Sequence, residues 1–418
     1  MGAIVLASFI VGSGLGQVSA APPEGHIVVL RDATPNVPAV AAEHARNFGV
    51  ALRYVYSHAL KGYAAVIPPG RLAQIESDPR VLFVTADQPV SAFAQTLPSG
   101  VDRIDAELSA GFASGVSGIA VAVIDTGSGP HPDLNIVGGV NCSTGKSYSD
   151  GNGHGTHVAG TIGALSNATG VVGVAPGIPI YSVRVLNNTG SGSWSSIACG
   201  VDWVTANAPT RNIRVANMSL GGTGSDDGNC GNTNKDAMHK AICGSVSAGV
   251  TYVVAAGNST ADFAGFVPAA YKEVLTVTAV ADFNGQPGGG AAATCRADVD
   301  DSAADFSNFT IAGSPEEDHT IAAPGVCILS TWKGGGYNTI SGTSMAAPHV
   351  TGTAALCIAS AHGDCVNGPS GVAMQLRTDA AAQPPSYGFV GDPNNPVMTG
   401  GLNPDTLYYG HLISAAGY

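Results

Sequence analysis

Charge is scarce in this chain, and positive charge scarcer still. Among 418 residues there are 17 Lys and Arg against 30 Asp and Glu, a net charge of −13. No basic stripe remains to track a phosphate backbone, which sets nucleic-acid binding aside. No Lys or Arg occurs before Arg31. The apolar opening, Met1 to Ala20, is short for a span and broken by glycine and serine, so stable membrane association is not expected. No cysteine occurs before Ala94 and no pair has C-x-x-C spacing, which argues against a structural zinc motif. There is no internal repeat. What is abundant is apolar and small: 44% hydrophobic residues and 57 glycines, the mark of a loop-rich globular chain rather than a disordered or coiled-coil one.

The charge is also unevenly placed. Residues 21–93 carry six basic and six acidic residues, whereas everything from Ala94 onward carries 11 basic and 24 acidic. A neutral front piece therefore precedes an acidic main body. Val18-x-Ala20 fits a signal-peptidase site, so residues 1–20 read as a signal peptide and the chain as secreted. All eight cysteines lie in the acidic body, as expected of disulfides formed in an oxidising compartment. Eight cysteines allow on the order of 100 pairings. Short spacing favours Cys230–Cys243 and Cys357–Cys365. Cys295–Cys327 would staple an Asp-rich stretch, and Cys142–Cys199 follows by elimination.

The front piece alternates strand and helix signals. His26–Leu30 reads as a strand, Val37–Phe48 as a helix closed by Gly49, Leu52–Val66 as one or two strands, Arg71–Asp78 as a short helix and Val81–Val84 as a last strand. That is the order of a small ferredoxin-like α+β unit. The body repeats strand then helix, as a doubly wound α/β layer does. Its expected strands include Ile119–Ile124, Ile180–Val185, a strand from Val215 and Val250–Ala256, and its expected helices Ile197–Asn207 and Lys235–Ala248. Gly190–Trp194 reads as a loop and Asp282–Asp318 as a surface excursion.

Four local motifs carry chemistry. The buried strand Ile119–Ile124 ends at Asp125-Thr126-Gly127, and α/β sheets place their sites at that end of a strand. An aspartic protease would need a second Asp-Thr-Gly, and none is present. Gly153-His154-Gly155-Thr156-His157 opens a helix of small residues, with His154 the candidate base and His157 read as structural. Gly342-Thr343-Ser344-Met345-Ala346-Ala347-Pro348 places one serine at the start of a buried helix, where free N–H groups and a positive dipole suit a nucleophile that creates an oxyanion. Ala255-Ala256-Gly257-Asn258 ends a buried strand on an amide donor. A serine needs a base, and the base needs a carboxylate to fix its tautomer. Asp125, His154 and Ser344 supply these, and Asn258 with the Ser344 N–H can hold the oxyanion.

The order Asp, His, Ser in these motifs resembles the subtilisin-like serine proteases, with features of both subtilisin and proteinase K. The resemblance implies a three-layer, mostly parallel sheet, preceded by a ferredoxin-like prodomain over residues 21–93 that acts as intramolecular chaperone and inhibitor. It implies self-cleavage between Phe93 and Ala94, leaving residues 94–418 as a monomeric endopeptidase acting on proteins and peptides. Ser219, Leu220 and Gly221 would pair with an extended substrate on one side, and Gly190, Ser191 and Gly192 on the other. Ala255, Ala256 and Gly257, with Phe266, would wall the pocket for the side chain before the cut. Trp194, Ile197 and Leu220 would line a further apolar pocket, although Ile197 reads equally as core. A structural calcium ion would be held by Gln95, Asp133 and Asn167 and by carbonyls of Leu165, Thr169 and Val171, an oxygen set that suits calcium better than magnesium. Uncharged pocket walls and Phe93 before the cut point to large apolar or aromatic preference. A lipase or esterase would need Gly-x-Ser-x-Gly with its histidine last, and an inactive binding relative would have lost one of the four residues; neither holds here.

Overall fold

The computed structural model describes residues 25–87, 95–395 and 407–418. The sequence readings of Met1–Ala20, Phe93 and Ala94 lie outside them. The chain divides into two compact units, one within residues 1–92 and the other within 93–418. Among the described residues no helix is long and apolar enough to cross a membrane.

The first unit is a four-stranded antiparallel sheet with two helices: β1 Gly25–Leu30, α1 Val37–Phe48, β2 Ala51–Tyr56, β3 Gly62–Val66, α2 Leu72–Glu76 and β4 Val81–Ala86. Helix α1 begins where the Asn36 side chain accepts from Ala39 N with Pro38 in the first turn, and ends on Gly49 in the left-handed region, φ 71°. The strand order β2-β3-β1-β4 is that of the ferredoxin-like unit. One sheet face and both helices enclose a small core of Val28, Leu30, Val40, Ala41, Tyr63 and Ile75.

The second unit opens with the short helices α3 (Ser99–Arg103) and α4 (Ala110–Ser114). Then follow β5 Ala120–Asp125, β6 Ile136–Asn141, α5 His154–Gly163, β7 Ile180–Arg184, α6 Trp194–Arg211, β8 Ile213–Met218 and β9 Gly222–Thr223. Next come α7 Ala237–Ser247, β10 Thr251–Ala255, β11 Phe266–Val267, β12 Leu275–Ala281, β13 Ser302–Ala303 and β14 Thr310–Ile311. Last are β15 Thr320–Pro324, the hairpin β16 Ile328–Trp332 and β17 Gly336–Ile340, α8 Thr343–Ala359, α9 Gly368–Ala381 and β18 Leu407–Tyr408. The main sheet runs β13-β12-β10-β8-β5-β7-β6 with β15 beside β12, and every pairing in it is parallel except β12 with β13. Strand side chains alternate between two cores. Val121 and Val123 of β5 join one with α5 and α8, while Ala120, Ala122 and Ile124 join the other with α6 and α7. A strand buried on both faces explains the unbroken apolar run Ile119–Ile124.

Three local readings need correction. Trp194 is not in a loop: it is the first residue of α6, because Ser193 and Ser196 form a reciprocal capping box. The helix then runs past Asn207 to Arg211, ending on Asn212 at φ 51°. The Asp-rich stretch is a surface excursion only in part, with residues 286–290 and 292–297 exposed. Asp282, Asp300 and Asp301 are buried, and the fully buried Arg103 donates from Nε to Asp301 at 2.8 Å and lies 3.4 Å from Asp282. Arg103 also donates to the Tyr387 carbonyl at 2.6 Å, so one cation ties three distant segments together. Strands β6, β12, β15, β16 and β17 add to the elements expected from the sequence.

The cysteines pair as Cys142–Cys199, Cys230–Cys243, Cys295–Cys327 and Cys357–Cys365. His157 is fully buried in α5 and its Nε2 lies 2.9 Å from the Ile328 carbonyl and 3.2 Å from that of Asn338, fixing the hairpin to the helix. Burial pushes its pKa down to about 3. The unfolded chain thus takes up a proton near pH 6.5 that the folded chain refuses, and stability is lost as pH falls from 6.5 toward 3. In urea unfolding of the full chain at pH 7, 6 and 5, His157→Gln should lose about 1.4 kcal/mol less per pH unit than the unaltered chain below pH 6. Equal slopes would show that His157 does not resist protonation.

Candidate active site

Asp125 ends β5 fully buried. Its Oδ1 accepts from Thr126 N at 2.6 Å and lies 2.8 Å from His154 Nδ1. Asp125 Oδ2 is buried without a hydrogen-bond partner. His154 is the first residue of α5, and a quarter of its side chain is exposed. Burial pushes the imidazole down, but the charge and hydrogen bond of Asp125, helped by the charge of Asp150, outweigh it and hold the pKa above the ordinary histidine value. The glycines beside His154 serve close packing rather than open space. A Cβ on Gly155 would meet the Gly127 carbonyl oxygen at 2.0 Å, and one on Gly153, at φ 117°, would meet the Trp332 ring at 2.4 Å.

Asp150 belongs to none of the four sequence motifs, yet it builds this corner. Its Oδ1 accepts from Asn152 N, Gly153 N and Thr126 Oγ1, and its Oδ2 from Thr156 N and Thr156 Oγ1, all at 2.7–2.9 Å. It takes the free N–H groups at the start of α5 and ties them to the residue after Asp125. An Asp four residues before a glycine-flanked helix start was the signal available.

Ser344 is the second residue of α8, half-buried at the mouth of a helix that is otherwise buried almost all round. Pro348, four residues on, has no N–H to give the Ser344 carbonyl. Ser219 Oγ donates to that carbonyl instead, at 2.8 Å. Ser344 Oγ donates to the Ser219 carbonyl at 3.3 Å, and among the described residues no hydrogen bond joins it to His154. Asn258 Oδ1 accepts from both Thr343 N and Thr343 Oγ1 at 2.8 Å, which fixes the amide beside Gly342 at the mouth of α8.

Two adjoining clefts meet here. One, of about 670 Å³, is lined by His154, Gly190, Ser191, Gly192, Trp194, Ile197, Ser219, Leu220 and Gly221. The other, of about 310 Å³, is lined by Ala255, Ala256, Gly257, Asn258, Phe266 and Ser344 and shares Leu220 and Gly221 with the first. Among the described residues no Lys, Arg, Asp or Glu lines either cleft. Ile197 is 4% exposed and belongs to both the cleft wall and the core beneath it. Ser219 is buried and its hydroxyl is committed to Ser344, so of this segment Gly221 is the exposed residue.

Away from the clefts, Gln95, Asp133, Asn167, Leu165 and Val171 converge. Gln95 Nε2 donates to the Leu165 carbonyl at 2.5 Å and the Val171 carbonyl at 3.0 Å. Asn167 Nδ2 donates to Asp133 Oδ1 at 2.8 Å, and Asp133 Oδ2 accepts from Val171 N and Tyr337 OH. Thr169 donates from N and Oγ1 to Asn167 Oδ1. This is a hard-oxygen donor set around one buried carboxylate, with two amide groups whose N–H ends now occupy the oxygens.

Known proteins resemble this chain in both of its units. The subtilase family matches residues 116–384, and the peptidase inhibitor I9 family matches residues 26–93. The alkaline protease of Shouchella clausii is 40% identical over 291 residues, covering 69% of this chain and 67% of that protein. Subtilisin E of Bacillus subtilis is 38% identical over 304 residues, covering 71% of this chain and 70% of that protein. A solved cold-adapted subtilisin-like serine proteinase superposes with a TM-score of 0.56 at 34% identity, over 76% of this chain and 97% of that one. With an inhibitor segment in front and a doubly wound body behind, the chain belongs to the subtilase family of serine endopeptidases.

Proposed function

We propose that this endopeptidase works through Asp125, His154 and Ser344, with Asn258 and the Ser344 N–H as the oxyanion donors. The observation that carries the reading is the 2.8 Å Asp125–His154 contact on a cleft that adjoins the one lined by Ser344, at the mouth of a buried helix. Ser344 Oγ leaves the Ser219 carbonyl, gives its proton to His154 Nε2 and attacks the scissile carbonyl. Asp125 keeps the imidazole proton on Nδ1 and stabilises the imidazolium. Asn258 Nδ2 and Ser344 N–H donate to the oxyanion. His154 then protonates the leaving amine, and a water molecule repeats the sequence on the acyl-enzyme. Apo geometry of this kind tightens when substrate arrives.

In this reading the substrate lies extended between residues 190–192 and 219–221 by backbone pairing, so affinity makes little demand on sequence. The side chain before the cut enters the cleft walled by Ala255, Ala256, Gly257 and Phe266. Burying a Phe there contributes about 1.5–3 kcal/mol, whereas an unpaired Lys would lose its hydration. The chain is made as a secreted precursor. Residues 1–20 are removed, residues 21–93 fold as chaperone and inhibitor, and the enzyme cuts itself between Phe93 and Ala94, the mature monomer being residues 94–418. The donor set of Gln95, Asp133, Leu165, Asn167, Thr169 and Val171 fits a structural calcium ion once both amides turn their oxygens inward; the ion would fix this loop.

Ser344→Ala should lower peptide hydrolysis by roughly 10⁶ and leave a precursor with the Phe93–Ala94 bond intact. Asn258→Ala should lower turnover by about 10²–10³. On a peptide library the unaltered enzyme should favour Phe or Leu over Lys before the cut. Near-normal turnover by the Ser344→Ala chain would end the proposal. For calcium, a thermal melt of the inhibitor-blocked protein with chelator should fall, since an ion at 1,000 times its Kd adds about 4 kcal/mol. Asp133→Ala should remove most of that response. A melt indifferent to chelator rejects the site.

A further inference from the structure

Outside the clefts, one buried nitrogen lacks a partner and faces two carboxylates. His239, in α7, is fully buried. Its Nε2 lies 2.9 Å from Glu273 Oε2, and its ring stacks flat on Tyr271 with centroids 3.9 Å apart and planes 3° from parallel. These contacts fix the ring and aim Nδ1 at Asp226 Oδ1 and Asp227 Oδ1, each 3.5 Å away. Nδ1 has no hydrogen-bond partner among the described residues. A separation of 3.5 Å is too long for a good hydrogen bond. It is close to the donor–donor edge of a tetrahedral site with bonds of about 2.0–2.1 Å, an edge of roughly 3.4 Å. The three donor atoms all lie within 4.8 Å of one another.

We propose that His239 Nδ1, Asp226 and Asp227 form a binding site for a zinc-class divalent cation, with Glu273 behind the histidine. An imidazole nitrogen with two carboxylates suits zinc and its neighbours, whereas calcium prefers an all-oxygen set. Glu273 is the carboxylate that a metal-binding histidine typically keeps on its other nitrogen; holding the proton on Nε2, it leaves the Nδ1 lone pair for the ion. Asp227 is held rigidly: its two oxygens accept four backbone N–H groups, from Asn229, Gly231, Thr233 and Asn234. Asp226 is 18% exposed, which opens the remaining position to water. Cys230 and Cys243 lie in the same cluster, but they are bonded to each other. Their disulfide staples the loop carrying both acids to α7, so the donors are assembled before any ion arrives. The competing state is an imidazolium shared among Glu273, Asp226 and Asp227, which would bind no cation.

Calorimetric titration with Zn²⁺ separates the two. The full chain, blocked with a serine-directed inhibitor and saturated with Ca²⁺, should bind one Zn²⁺ at this site. Co²⁺ in its place should show the visible absorption of a tetrahedral centre. Asp226→Asn should weaken Zn²⁺ binding more than tenfold and His239→Gln should abolish it, while the unblocked variants keep their peptide hydrolysis. Asp226 is partly exposed, so its variant tests the site even where loss of His239 disturbs the fold. Absence of Zn²⁺ binding, or binding equally tight in Asp226→Asn, overturns the proposal; zinc held elsewhere, for instance by His154, would give the second result.

Discussion

A proline with no N–H leaves the Ser344 carbonyl to a hydroxyl from another element. Helix α8 is buried on nearly every side, so its first turn has little water to satisfy it. Ser219 Oγ takes the Ser344 carbonyl, and Thr343 hands both its N–H and its hydroxyl to Asn258. The strand ends after β8 and β10 are thereby locked to the mouth of the helix. The two groups that the proposed reaction would use as oxyanion donors, the Ser344 N–H and the Asn258 amide, are set at the same helix mouth by the satisfaction of buried polar groups.

The rest of the second unit places His154 on the cleft that adjoins that mouth. A parallel sheet covered on both faces puts the ends of β5, β8 and β10 on one edge. Asp125 ends the first of these, and Asp150 binds the start of α5 to it through Thr126. His154 thus sits between a buried carboxylate and an open cleft. The Asp125 charge holds the imidazole pKa up against the effect of burial. Past the C-terminal end of β12, Arg103 and its buried acids fasten the start of the body to residues 282, 301 and 387.

Much of this was legible in the chain itself. Pro38 and Gly49 bracket α1 because one fixes φ and the other tolerates the left-handed region, so its bounds could be read to the residue. Asp125, His154, Ser344 and Asn258 stand out because each follows a buried strand or opens a buried helix within small residues. Other features depended on contacts the sequence does not display. Trp194 reads as loop beside glycines and serines until the Ser193–Ser196 capping box is seen. Asp282, Asp300 and Asp301 read as solvent-facing because their counter-charge, Arg103, is nearly 200 residues away. Strand β12, Leu-Thr-Val-Thr-Ala-Val-Ala, is buried throughout although its alternating threonines suggest a half-exposed strand. The direction of the Ser344 hydroxyl, toward Ser219 rather than His154, is a rotamer choice that no motif encodes.

The central claim is that Ser344 is the nucleophile activated by His154. The most direct measurement is to treat the chain with a fluorophosphonate and map the adduct by peptide mass spectrometry. The account requires one adduct, on the hydroxyl of Ser344, formed far more slowly in the Asp125→Asn and His154→Ala chains. An adduct on another serine, or labelling of Ser344 at the same rate without His154, would contradict it.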